Sequence, residues 1–187
     1  PYFRIRTAPE TFAKQMEFLH DRGYRSVDLE QAVAILAGQA AAPSKPVVLT
    51  FDDGYRDFYR EAFPVLDRCG FAATVYLPTA YIGDSPRSFD GQVCLTWKEV
   101  RELHSQGVRF GSHTVTHPLL LTLPHAGVER ELRDSKAVLE DQLGAPVTSF
   151  AYPYAFPQAN NGFCGFLRET LVACGYRNGV STIIGTA

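Results

Sequence analysis

Val47-Val48-Leu49-Thr50-Phe51-Asp52-Asp53-Gly54-Tyr55 joins a short apolar run directly to a paired carboxylate and an Asp-Gly turn. Five consecutive apolar or β-branched residues bounded by Pro46 and a turn predict a fully buried strand, the kind that belongs in a parallel sheet. Upstream, the Ala/Pro-rich stretch from Ala40 to Pro46 reads as a loop. Downstream, a helix opened by Pro64 and closed by Gly70 leads into a second β-rich run, Ala73 to Leu77. One strand, one helix and another strand in this order start a parallel α/β pattern.

The same alternation extends in both directions. Thr7-Ala8-Pro9-Glu10 has the form of a capping box with an early proline, followed by Phe12, Met16 and Leu19 on one face and Gly23 as a stop. A short helix is expected after Asp28, ending at Gly38. Thr96-Trp97-Lys98-Glu99 is a second capping box, and its helix should stop at Gly107 before a strand at Val108 to Phe110. A long amphipathic helix is expected from Val128 to Leu143, then a strand from Val147 to Tyr152. A helix from Phe163 to Cys174 and a last strand from Gly179 to Ile184 complete the pattern.

Composition excludes several classes of function. A chain of 187 residues that is 45% hydrophobic can bury one substantial core, so residues 1–187 are expected to form a single domain. The net charge of −2 and the lack of a polybasic run argue against nucleic acid and anionic membranes. No apolar stretch reaches the roughly 18 to 20 residues of a membrane span, and the segment from Pro1 lacks the regions of a signal peptide. The chain is expected to be soluble, with cell envelope and cytoplasm both open. Cys69, Cys94, Cys164 and Cys174 form no Cys-x-x-Cys pair, so free or buried thiols are expected rather than a thiolate metal site.

The predicted strands place three motifs at carboxyl ends: Asp52-Asp53, His113-Thr114-Val115-Thr116-His117 and Pro153-Tyr154. In parallel α/β folds those ends converge on one face, where ligands bind. Each motif alone has an ordinary explanation. Asp-Asp-Gly can cap a turn, the histidines can belong to a polar loop, and the proline can simply end strand pairing. The histidines are expected in a loop, because Val115 and Thr116 are β-branched and Pro118 disfavours helix at His117. Their coincidence on one face carries the functional reading, since a carboxylate and two imidazoles can hold a divalent ion while a second carboxylate serves as base.

On these motifs the chain resembles the NodB-homology polysaccharide deacetylases, carbohydrate esterase family four. The first motif is Thr50-Phe51-Asp52-Asp53-Gly54-Tyr55, the second His113 to His117, and the third, in part, Ala151-Tyr152-Pro153-Tyr154. The resemblance runs from Pro46 to Ala187. It implies a distorted (β/α) barrel with fewer strands than the eightfold form, incomplete at one or both termini. It also implies a single catalytic domain that hydrolyses N-acetyl groups of an N-acetylhexosamine-containing polysaccharide. By resemblance Asp53, His113 and His117 would bind one divalent transition metal, zinc first with cobalt or nickel as alternatives. Asp52 would be the general base, and the backbone N–H of Tyr154 would help to stabilise the oxyanion, in a turn fixed by Pro153. Tyr55 and Pro153 are candidates for substrate binding.

Two departures accompany the matches. Many relatives carry an arginine where this chain has Ala151, so the usual cationic partner of Asp52 is missing; its pKa should rise and the acidic limb of activity should move to higher pH. The late Leu-x-His motif that supplies the general acid is also absent, and His20, His104 and His125 are poor substitutes, His125 being expected in a Pro-flanked loop. The general acid is therefore unassigned. The alternatives are a non-catalytic, metal-containing carbohydrate-binding descendant and a phosphohydrolase of the haloacid dehalogenase type. The second fits poorly, because its two aspartates are separated by one residue whereas Asp52 and Asp53 are adjacent. The expected partner is an N-acetylated glycan, its identity and the oligomeric state being open.

Overall fold

The computed structural model describes residues 7–183. Helix α1 (Pro9–Asp21) precedes strand β1 (Arg25–Ser26), helix α2 (Leu29–Leu36) and two short strands, β2 (Pro46–Val47) and β3 (Thr50–Phe51). A π-helical turn, Phe58–Ala62, runs into α3 (Phe63–Cys69), followed by β4 (Thr74–Leu77). A small hairpin of β5 (Ser88–Phe89) and β6 (Gln92–Val93) leads to α4 (Trp97–Ser105) and β7 (Arg109–Ser112). Then come α5 (His125–Leu143), β8 (Ser149–Ala151), α6 (Asn161–Ala173) and β9 (Asn178–Val180).

The main sheet has the order β3-β4-β7-β8-β9 and every pair in it is parallel. β1 pairs in parallel with β2, just upstream of β3. Helix α2, which follows β1, touches β9 at the far side, and the Thr148 hydroxyl donates to the Glu30 carboxylate at 2.7 Å. The two ends of the series are thereby drawn toward each other, and the sheet curls into a partial barrel rather than lying open.

The strand faces divide the interior. Val75, Leu77, Phe110 and Phe150 join Leu66, Val100, Leu103, Leu132 and Leu139 in the core beneath the helices. Tyr76, Gly111 and Ser149 alternate with them and face the other way, inside the curl. Gly111 is required there, because a Cβ would lie 2.4 Å from the Tyr76 ring. All four residues of β4 are buried, as expected of a strand covered on both sides.

Several local expectations need correction. The run Val47 to Phe51 is not one fully buried strand. Its first half pairs with β1 and its second with β4, and its residues are partly exposed, since it lies near the margin of the main sheet. Thr7 does not cap α1: the N-cap is Ala8, without a side-chain hydrogen bond, and Pro9 alone sets the helical start. The second capping box forms as expected between Thr96 and Glu99, and another forms between Asp28 and Gln31. His125 is the first residue of α5, not part of a loop, because Pro124 provides the extended N-cap. The last strand ends at Val180, and Ile184 lies outside the described residues.

Candidate metal centre

Each motif follows its strand directly: Asp52 after β3, His113 after β7, and Tyr152 to Tyr154 after β8. Parallel pairing brings these carboxyl ends side by side. Asp53 Oδ1 lies 3.6 Å from His113 Nε2 and 3.5 Å from His117 Nε2, and the two Nε2 atoms are 3.1 Å apart. Among the described residues these three form the group able to hold a metal, with ligand atoms all within 4.8 Å of one another.

Hydrogen bonding identifies which imidazole nitrogen is available. His113 Nδ1 lies 2.9 Å from the Ala151 carbonyl, which can only accept, so Nδ1 carries the proton and Nε2 presents a lone pair. Two imidazole nitrogens at 3.1 Å with a carboxylate oxygen beside them are poorly arranged for each other and well arranged for a cation between them. Asp53 Oδ1 is buried and has no hydrogen-bond partner. A buried carboxylate oxygen left in that state is costly unless a cation meets it.

The electrostatics point the same way. Burial pushes the Asp53 carboxyl up to about 6, helped by the neighbouring charges of Asp52 and Asp90, while the Tyr55 hydroxyl hydrogen-bonds to it and opposes the rise. Burial holds His113 down at about 4. His117 is held at about 4 by burial and by His113. Neutral imidazoles beside a carboxylate that is expensive to ionise make a donor set suited to a divalent ion.

Asp52 is exposed on one side, yet the protein crowding its carboxyl desolvates it and pushes it up to about 6. Burial is the cause of that rise, and among the described residues no cationic side chain offsets it. Tyr55 faces Asp53 and stacks on Phe89, with ring centroids 6.2 Å apart. Tyr154 packs edge-on against His117 at 4.6 Å. His20, His104 and His125 have other neighbours: Asp21 and Phe71, Val108 and Phe110, and Phe166 respectively.

The backbone at this face is unusual. Among the described residues, six non-glycine residues have positive φ, and Asp53 (69°), Thr114 (69°), His117 (55°) and Tyr154 (60°) are four of them. Such conformations are held only where surrounding contacts determine them, and they cluster at functional sites. After Asp53 the chain turns through Gly54 (φ 61°), where a Cβ would lie 2.5 Å from Leu77 Cδ2. The Asp-Asp-Gly motif thus needs its glycine both for the turn and for room against β4.

Supporting residues outside the motifs were not legible in the sequence. Phe89, on the hairpin, packs against His117 at 5.0 Å and stacks with Tyr81 at 4.4 Å. Thr182 clasps the Tyr154 turn, its hydroxyl donating to the Tyr154 carbonyl at 3.0 Å and accepting from Phe156 N–H at 3.3 Å. Threonine and phenylalanine in such places look ordinary, and no sequence signal marks them.

Fold and cluster together define a curled parallel α/β protein with a candidate metal centre at the carboxyl ends of its strands. A polysaccharide deacetylase family profile matches residues 39–177, and the chain belongs to the polysaccharide deacetylase family. YxkH of Bacillus subtilis strain 168, provisionally named a polysaccharide deacetylase, is 31% identical over 186 residues, 98% of this chain and 61% of that protein. The poly-β-1,6-N-acetyl-D-glucosamine N-deacetylase of Escherichia coli K12 is 33% identical over 123 residues, 60% of this chain and 18% of that enzyme. The chain therefore spans less than two thirds of the length of either relative. Among solved structures, the Streptococcus pyogenes deacetylase PplD in complex with acetate superposes with a TM-score of 0.82 at 29% identity, covering 95% of this chain and 74% of that one. IcaB from Ammonifex degensii superposes with a TM-score of 0.81 at 26% identity, covering 100% and 87%.

Proposed function

We propose that this chain is a metal-dependent deacetylase that hydrolyses N-acetyl groups on an N-acetylhexosamine polymer. The observation that carries the reading is the convergence of Asp53 Oδ1, His113 Nε2 and His117 Nε2 from two separate strand ends. These three would hold one divalent ion, zinc first and cobalt or nickel as alternatives; when bound, the ion supplies Lewis acidity toward the acetamide carbonyl and an acidified water. Asp52, ionised at neutral pH, takes the proton from the attacking water. The backbone N–H of Tyr154 donates to the developing oxyanion, and Pro153 fixes the turn that carries it. Tyr55 holds Asp53 through its hydroxyl, and Tyr55 and Pro153 border the place where the sugar would sit.

The first substrate to test is poly-β-1,6-N-acetyl-D-glucosamine, for which the Escherichia coli relative is named. Chitin-like oligomers and peptidoglycan glycan carry the same acyl chemistry and follow it. The haloacid dehalogenase-type alternative gives way to the family assignment and to the histidine cluster. A metal-containing, non-catalytic carbohydrate binder is the second reading. It is favoured by the engagement of His20, His104 and His125 with neighbours elsewhere, which leaves the leaving amine without an assigned acid.

Metal analysis of the purified protein, paired with acetate release across these polymers, tests the proposal. The expected result is one divalent ion per chain and acetate release, both lost in Asp53→Ala. Glycan binding with metal but without acetate release would favour the second reading. No bound metal in the unmodified protein would overturn both.

A further inference from the structure

The second histidine ligand sits in a turn that the chain would not adopt unaided. Thr114 and His117 both have positive φ, and Thr114 is β-branched, a residue type for which the left-handed region is a genuine outlier. Part of the restraint is local: Ser112 Oγ accepts from Thr114 N–H at 3.2 Å, and Thr114 Oγ1 accepts from His117 N–H at 2.9 Å. Part comes from the segment after β4, where Thr79 N–H and Ala80 N–H donate to the carbonyls of Thr114 and Val115 at 3.2 and 2.9 Å. These contacts leave the outer side of the turn, with the N–H groups of Val115 and Thr116, to be satisfied.

Glu131, in the second turn of α5, satisfies those N–H groups. Its Oε2 accepts from Val115 N–H at 2.7 Å and from Thr116 N–H at 2.9 Å, and its Oε1 accepts from the Thr116 hydroxyl at 2.7 Å. Two successive backbone N–H groups beside a left-handed residue make an anion-binding concavity. Here a side chain of the same protein fills it. Charge-assisted bonds are roughly twice as strong as neutral ones, and three of them, two from backbone N–H groups and one from a hydroxyl, converge on one carboxylate.

We propose that Glu131 is a positioning residue of the metal centre, an internal anion that fixes the Val115–Thr116 concavity and so the placement of His117 against His113 and Asp53. The inference rests on the metal-binding reading of those three residues. The hydrogen bonds of Glu131 go to the turn rather than to the ligand atoms, so its contact with the site runs through the turn. Outer partners of this type typically change metal affinity about 10- to 100-fold.

The test is cobalt(II) titration of the full chain followed by visible absorption, with zinc competition, on four proteins. Glu131→Ala should weaken metal binding about 10- to 100-fold. Glu131→Gln keeps one acceptor but turns an amide N–H₂ toward a donor, and should fall between Glu131→Ala and wild type; it also serves where the alanine variant folds poorly. Glu140→Ala is the control: Glu140 lies on the same helix and accepts from Lys136 Nζ and Val147 N–H, so it should lower the melting temperature while leaving metal affinity unchanged. Added formate should reoccupy the emptied concavity and restore affinity in Glu131→Ala alone, with no gain in wild type. Equal affinity in Glu131→Ala and wild type, a loss shared by Glu140→Ala, or a loss that formate leaves untouched overturns the proposal. Absence of metal from the wild-type protein would instead overturn the reading on which it rests.

Discussion

The two ligand-bearing turns of this site are built on opposite terms. The histidine turn, 112–117, is tied on every side: to Ser112, to Thr114, to the backbone after β4 and to Glu131, and His113 is oriented by the Ala151 carbonyl. The carboxylate turn, 52–55, is held by shape, through Gly54 against Leu77 and Tyr55 against Phe89, and by Leu95 N–H donating to the Gly54 carbonyl at 2.9 Å, but its charges are poorly accommodated. Both Asp52 and Asp53 are pushed up to about 6, and Asp53 keeps a buried oxygen without a partner. On the proposed reading, one turn is organised before any cation arrives, and the other would be completed by it. Neutral donors facing a destabilised carboxylate would favour a bound cation over the metal-free state.

The comparison can be broken most decisively at Asp53. Asp53→Asn should lower zinc affinity by more than about 100-fold, beyond the usual outer-partner effect. It should also raise the melting temperature of the metal-free protein at pH 7.5 by about 2–4 °C, the shift of ~1 kcal/mol in a chain of this size. Calorimetry with and without zinc reads both, and a metal-free form that melts lower than wild type would contradict the claim that this charge is a burden.

Asp52→Asn separates the two carboxylates. Turnover should fall about 10²- to 10⁴-fold, as for loss of a general base, while metal content stays at one per chain. Metal loss in this variant would make Asp52 a ligand instead.

Proton linkage sharpens the contrast further. The folded protein holds a proton on Asp53 below about pH 6, whereas both histidines stay neutral down to about 4. Metal must displace that proton, so affinity should be flat above pH 7, fall about tenfold for each unit below pH 6, and be accompanied by proton release. Isothermal titration in buffers of different ionisation enthalpy measures it. An affinity that first falls near pH 4 would place the titration on the histidines. A divalent ion beside Asp52 would lower its carboxyl from the metal-free position of about 6, so the acidic limb of turnover in the metal-loaded protein should lie below pH 6.

The smallest expected effects concern shape. Gly54→Ala meets Leu77 Cδ2 at 2.5 Å in a left-handed backbone and should cost about 1–3 kcal/mol. Ser112→Ala removes an acceptor for Thr114 N–H and a bond to Ser135 at 2.6 Å, and should cost about 1–2 kcal/mol. Chemical denaturation compares them, and the serine variant should be the milder.

What the sequence discloses follows the same division. Asp52, Asp53, His113 and His117 are legible because scarce residue types sit in short motifs at the ends of β-rich runs, and parallel topology then forces them together. Glu131 and Thr182 are not, because a glutamate on an amphipathic helix and a threonine after a strand are common, and only the folded turn gives them work. Burial of Val47 to Phe51 was overstated for a related reason. Hydrophobic content shows that a segment pairs, but not that it serves two partners in succession near a margin of the sheet. Helix punctuation fared better at Thr96, whose box closes, than at Thr7, where Pro9 alone suffices.

The clasp of Thr182 on the Tyr154 turn bears on how such domains are cut and joined. The family profile's match ends at residue 177, before β9 begins, and even a boundary set after β9 at Val180 would keep every strand among the described residues while discarding the hydroxyl that bridges Tyr154 and Phe156. Chimeras exchanged at either border would retain the metal ligands and the sheet that carries β8, yet reposition the residue proposed to receive the substrate's oxyanion. In this fold the working unit extends past the stretch that the family profile matches.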